Sequence, residues 1–222
     1  WHDLLWLPSW GCNGMSIARM MQMGAAGVPK GEPATVAFVV SFTADTITSI
    51  DISNPSAMSE LDSYQNAVSL NNARGVAIDQ ENAVAYVACY VFDGITSIDT
   101  STASSLSELD RYTNATNLNG AVKVALDTPN NVAYVVSGVS DSITSIDISD
   151  PSSLTELDSY TSVNINFAQN VALDTANSVA YVVSASSDSI TSIDISNPSS
   201  LAELDSYTSV NIDNPTEVAL DV

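Results

Sequence analysis

Several things are scarce in this sequence, and each scarcity narrows what it can do. Histidine occurs once, at His2, near the start of the sequence. A lone imidazole near a terminus gives no base for a nucleophilic triad and no His-based metal set. Cysteine occurs twice, at Cys12 and Cys89. One pair could form a bridge, but two cysteines make no disulfide framework, and no CxxC is present for zinc or thiol chemistry. Basic residues number 5 against 26 acidic ones, a net charge of −21. That surface repels phosphate backbones and anionic lipid, so nucleic acid and membrane insertion are excluded as partners. No apolar run reaches the 18 residues of a spanning helix. Gly-rich phosphate loops, EF-hand spacing and a G-x-S-x-G elbow are also missing. The sequence therefore offers no catalytic residue and no His- or Cys-based metal set.

What is present is a period. "ITSID" occurs four times, ending at Asp51, Asp99, Asp147 and Asp194, in steps of 48, 48 and 47 residues. Tyr64, Tyr112, Tyr160 and Tyr207 keep the same steps. A fixed period of this length marks a propeller or a solenoid. One repeat from Asn170 to Thr208 reads "NVALD", "VAYVVS", "SITSIDIS" and "LAELDSYT", separated by polar turns. Four short β-branched and aromatic runs split by Asn, Asp, Ser and Pro are the pattern of an antiparallel meander. Asn54-Pro55, Asp150-Pro151 and Asn197-Pro198 fit β-turns, where Pro presets φ and Asn or Asp bonds its own backbone. "VAYVVS" is apolar on both faces, as a sheet covered on both sides requires. The fourth run is the most acidic, as an outer edge strand requires.

The expectation is an all-β propeller of four-stranded antiparallel blades. Residues 35–222 hold four repeats of 47–48 residues, and residues 1–34 precede them without fitting the repeat. Met15 to about Ala26 predicts a short helix ending near Gly27. The chain opens at Trp1 rather than Met, as a processed or truncated product would. The first repeat starts at its second strand, "TVAFVV", and the sequence finishes on a spare "EVALDV" over Glu217–Val222. This predicts four blades closed by the C-terminal strand lying beside Thr35–Val40. A piece of a larger propeller and a homodimer of half-rings are the alternatives.

Ile50–Ser56 and Ile193–Ser199, both "IDISNPS", resemble the LVIVD-repeat β-propellers, and "AYVV" at Ala133–Val136 and Ala180–Val183 is similar to the strand of those repeats and of the YVTN group. Thr144-Ser145 stand where that repeat carries aliphatic residues. The resemblance implies a propeller and an extracellular or cell-surface setting. It implies no single activity.

Two features are candidates for a site. Asp45, Asp93, Asp141 and Asp188 recur in the turn between the second and third strands. That turn shares a face with the connection to the next blade, which carries Asn71, Asn72, Asn119, Asn164, Asn166, Asn211 and Asp213. Oxygen ligands of this kind suit Ca2+; the competing reading is that Asp is simply favoured in tight turns. Second, Tyr90 and Phe92 put aromatic residues in the second repeat's turn where the others carry small ones, and Phe42 adds one in the first. Aromatic side chains on a propeller face are plausible binding anchors; the competing reading is local packing. The leading expectation is a non-enzymatic scaffold, monomer or homodimer, for a protein or cell-surface ligand. The alternatives are a metal-assisted hydrolase or lactonase with a central Ca2+, and a carbohydrate-binding module.

Overall fold

The computed structural model describes residues 35–221, and the expected helix within residues 1–34 lies outside them. Fifteen strands form four antiparallel sheets joined in sequence order. The first blade holds β1 (Val36–Ser41), β2 (Thr46–Asp51) and β3 (Ser59–Gln65). The second holds β4 (Ala73–Asp79), β5 (Val84–Cys89), β6 (Gly94–Asp99) and β7 (Ser107–Thr113). The third holds β8 (Ala121–Asp127), β9 (Val132–Ser137), β10 (Ser142–Asp147) and β11 (Thr155–Thr161). The fourth holds β12 (Ala168–Asp174), β13 (Val179–Ser184), β14 (Ser189–Asp194) and β15 (Ala202–Thr208). Each strand pairs with its neighbour in sequence, so register is fixed locally by the turns. Among the described residues no helix is long and apolar enough to cross a membrane.

The turn chemistry follows the residue types. The Asp that closes each "ITSID" accepts the amide two residues on: Asp51 from Ser53 at 2.8 Å, Asp99 from Ser101 at 2.8 Å, Asp147 from Ser149 at 2.9 Å and Asp194 from Ser196 at 2.9 Å. These side chains mimic a backbone turn and stop the strand. Asn54 and Asn197 do the same ahead of their prolines, accepting from Ser56 and Ser199.

Three buried clusters hold the blades together, one at each junction between consecutive blades. Ile47, Val87 and Leu106 lie between the first and second blades. Tyr86, Ile95, Ile146 and Leu154 lie between the second and third, and Tyr134, Ile143, Ile193 and Leu201 between the third and fourth. β5 and β9 are buried along their whole length, whereas β2 and β14 alternate between buried and partly exposed positions and β1 has no fully buried residue. The two middle blades are thus covered on both faces and the two outer blades on one.

Polar bonds repeat across each junction with the same register. Ser97 Oγ donates to the Pro151 carbonyl at 2.6 Å, and Asp110 Oδ2 accepts the Leu154 amide at 2.7 Å. The Tyr112 hydroxyl donates to Glu156 Oε2 at 3.2 Å, joined there by Asn114 Nδ2 at 2.9 Å. The acidic fourth strands therefore do more than protect an edge. Their glutamates reach back to the preceding blade's tyrosine.

Closure is where the structure differs from expectation. The first sheet has three strands, and 216–221 adopt no strand. Glu217 instead accepts from Asn170 Nδ2 of β12 at 2.8 Å and lies 3.8 Å from Lys123 Nζ of β8. Gly75, Lys123, Asn170 and Glu217 occupy the same repeat position, so the C-terminal segment sits where a further blade would place its innermost strand. There Asn170 Nδ2 and Lys123 Nζ offer Glu217 a donor and a cation beside the fourth blade. Among the described residues the first and fourth blades share no buried cluster, and the sheets form an open arc.

Candidate functional site

The turns between second and third strands, and the connections to the next blade, share one face of the arc. Asp45, Asp93, Asp141 and Asp188 all lie there, each in the left-handed backbone region, with φ of 54°, 56°, 52° and 50°. Asp and Asn tolerate that region better than other residues with a Cβ. Each carboxylate also has a fixed structural partner. Asp45 Oδ1 accepts the Asn72 amide at 2.9 Å, Asp93 that of Gly120 at 3.0 Å, Asp141 that of Phe167 at 2.8 Å and Asp188 that of Asn214 at 2.9 Å. The repeated aspartates pin each turn to the connection that follows. Among the described residues no group of three or more His, Cys, Asp or Glu side chains is placed to hold a metal ion.

Main-chain carbonyls of that face are engaged as well. The Asn117 carbonyl receives three hydroxyls, from Ser140 at 3.1 Å, Ser142 at 2.6 Å and Thr144 at 3.0 Å. The Asn164 carbonyl receives Ser187, Ser189 and Thr191 in the same way. Asn114 heads an N-x-T triplet without proline, and its amide nitrogen donates to Glu156.

The second blade breaks this pattern, and the aromatic residues are the reason. Phe92 and Gly94 stand where the third blade has Ser140 and Ser142. The Phe92 ring lies so close to Gly94 that a Cβ there would meet its Cδ1 at 2.9 Å and would also collide with the Tyr112 carbonyl. Ring and glycine therefore come as a pair. Phe92 is half-buried against the junction of the first two blades. Tyr90 is half-buried too, packed against the cluster of the third and fourth blades. Phe42 is different: it is 57% exposed.

Phe42 forms the edge of a cavity of about 340 Å³ lined by Val40, Ser41, Phe42, Ala73 and Arg74. The Arg74 guanidinium carbon lies 3.8 Å from the centre of the Tyr90 ring, and its Nε donates to Asn72 Oδ1 at 2.8 Å. Ring and amide thus hold the cation in place. The other two basic side chains of the described residues face carboxylates: Arg111 is 3.5 Å from Glu108, and Lys123 faces Glu217. Arg74 has no acidic partner among the described residues. The structure brings Phe42, Tyr90 and Arg74 to one side of the turn face and leaves Asp45, Asp93, Asp141 and Asp188 to their separate turns. In the sequence Arg74 is one of five basic residues with nothing to single it out; its partner Tyr90 lies just beyond the neighbouring strand β5.

A sequence model of the LVIVD repeat matches residues 37–66, 130–162 and 178–209. The chain carries LVIVD repeats. The second blade falls outside the match, and it reads "DTSTA" over Asp99–Ala103 where the other three read "DISNP" or "DISDP". No curated protein matches the sequence. Solved structures do. A protein of Lactobacillus plantarum superposes with a TM-score of 0.68 at 14% identity, over 78% of this chain and 54% of that one. The periplasmic gluconolactonase of Pseudomonas aeruginosa gives 0.67 at 13%, over 86% and 54%. A chain of a nidogen/laminin complex gives 0.58 at 13%, over 81% and 62%. At such identities the likeness is one of fold. The LVIVD-repeat chain spans about half the length of the first of these structures.

Proposed function

We propose that this LVIVD-repeat chain is a non-catalytic propeller scaffold, working outside the cytoplasm, that holds a protein or cell-surface ligand against its turn face. The observation that carries the reading is the exposed Phe42 beside an Arg74 guanidinium stacked on Tyr90 and unopposed by any described carboxylate. An aromatic anchor next to a pre-oriented arginine is the composition typical of binding hot spots. The turn carboxylates lie in separate turns, and each accepts a backbone amide on Oδ1. The extracellular setting is supported by the repeat family and by the fold shared with a periplasmic protein.

Immobilised protein should retain a ligand from cell-surface extracts, and F42S and R74A should each release it without altering the fold. A second reading, a sugar-lactone hydrolase using Ca2+, is favoured by the likeness to the Pseudomonas gluconolactonase. Titration of acid released from glucono-δ-lactone distinguishes the two. Turnover that EDTA abolishes and Ca2+ restores, with no ligand retained by the wild-type face, would replace the scaffold reading.

A further inference from the structure

The three blade junctions use one set of contacts, and the two ends of the arc carry its unmatched halves. On the side facing the next blade, each blade offers a serine hydroxyl, an aspartate carboxylate and a tyrosine hydroxyl. Between the first and second blades these are Ser49 to the Ala103 carbonyl at 2.5 Å, Asp62 to the Leu106 amide at 2.7 Å and Tyr64 to Glu108 at 3.3 Å. Between the third and fourth they are Ser145 to the Pro198 carbonyl at 2.6 Å, Asp158 to the Leu201 amide at 2.6 Å and Tyr160 to Glu203 at 3.2 Å. The fourth blade repeats the outgoing half as Ser192, Asp205 and Tyr207. The first blade repeats the incoming half as the Pro55 carbonyl, the Met58 amide and Glu60. None of these makes a junction bond among the described residues.

Burial follows the same logic. Leu106, Leu154 and Leu201 are 7%, 5% and 7% exposed, while Met58, at the same repeat position, is 63% exposed. Tyr64, Tyr112 and Tyr160 are half-buried, and Tyr207 is 61% exposed. Val39, the counterpart of the fully buried Val87 and Val135, is 48% exposed. The two end faces are therefore a matched pair, apolar at the centre and complementary in hydrogen bonding.

We propose that the face of the fourth blade bearing Tyr207 docks on the face of the first blade bearing Met58 in a second copy of this chain. Two such head-to-tail contacts close a two-fold ring of eight blades. The occupant is a second copy because its first blade supplies the carbonyl, amide, glutamate and apolar side chain that the three internal junctions already use. A head-to-tail contact forms a ring when its rotation closes. An eight-bladed ring lies within the usual range of blade numbers, and this arc overlays about half of a longer propeller chain. The contacts are hydrogen bonds and apolar packing rather than ion pairs. Two chains each of charge −21 repel, so added salt should strengthen the association by screening.

Sedimentation equilibrium of the full chain tests this. Its mass is 23.3 kDa. A species of twice that mass is expected, favoured by salt. M58D and Y207D should each shift it to the single-chain mass with an unchanged circular dichroism spectrum, since both side chains are exposed in one copy. Mixing the two variants should restore dimers, because one intact Tyr207–Met58 contact then forms. A single-chain mass at every concentration and salt level would overturn the proposal. So would a dimer indifferent to both substitutions, or an open series of larger polymers.

Discussion

Asp110 Oδ2 accepts the amide of Leu154 at 2.7 Å, across the junction of the second and third blades. Asp205 stands at the same repeat position at the end of the arc, and among the described residues its carboxylate accepts the neighbouring Ser206 amide and none from another blade. The same residue type thus joins two blades in one place and faces solvent in the other. D110A should cost about 1.5–3 kcal/mol, as expected for a hydrogen bond to a charged group. D205A, studied at a concentration low enough to keep the chain single, should change stability by less than about 0.5 kcal/mol. Urea unfolding of the two variants measures the difference. Equal costs would mean that Asp110 acts within its own blade.

Acid should weaken the turns. The Ser53 hydroxyl and amide hold the Asp51 carboxyl below the usual carboxylate range, and Ser196 does the same for Asp194. A folded value below the unfolded one gives stability that is present at neutral pH. It is lost as pH falls below roughly 4 and through the lowered folded values. The melting temperature of wild type should therefore fall more steeply over that range than that of the D51N/D194N double variant. Parallel curves would contradict the assignment.

Alkali acts through buried groups. Burial pushes the Tyr134 hydroxyl up to about 12, helped by the nearby Asp127 charge, and raises Tyr86 further, helped by Asp79. Burial likewise pushes the Cys89 thiol up to about 12. Here the folded values exceed the unfolded ones. The stability is full below the unfolded values and is lost as pH rises through the folded values. Ultraviolet titration should show Tyr86 and Tyr134 ionising only as the fold is lost. In a C12S background, Cys89 should resist a thiol reagent until denaturant is added, because the thiolate is the reactive form.

The turn aspartates give a test of calcium. Asp93 Oδ1 accepts the Gly120 amide, and D93N keeps both an acceptor oxygen and tolerance of the left-handed backbone. D93N should melt close to wild type, D93A should lose about 1–2 kcal/mol, and millimolar Ca2+ should shift none of them. A Ca2+-dependent rise in melting temperature that D93N abolishes would restore the carboxylate ring as a metal site.

Much of this fold was legible because the repeat states each instruction four times. Strand order, the Asn-Pro and Asp turns, and the acidic outer strands all follow from local residue chemistry. The junctions were not legible, since Ser97 meets Pro151 and Tyr112 meets Glu156 only once consecutive sheets are stacked. The place of the C-terminal segment was not legible for a related reason. "EVALDV" reads as a strand, but Glu217 finds its partners at Asn170 and Lys123, beside the fourth blade. The same limit applied to the site. The aspartate spacing suggested a shared ligand, whereas each carboxylate faces its own amide. Arg74 and Tyr90 gave no sign of stacking in one dimension.

The central claim is that equivalent residues are buried within the arc and bare at its ends. Amide hydrogen exchange of Met58, Leu106, Leu154 and Leu201 in one dilute sample tests it most directly. Three of these amides bond an aspartate of the preceding blade, and protection follows such bonding. The account predicts slow exchange at Leu106, Leu154 and Leu201, fast exchange at Met58, and slowing at Met58 as the protein is concentrated. Equal rates at all four positions, independent of concentration, would contradict it.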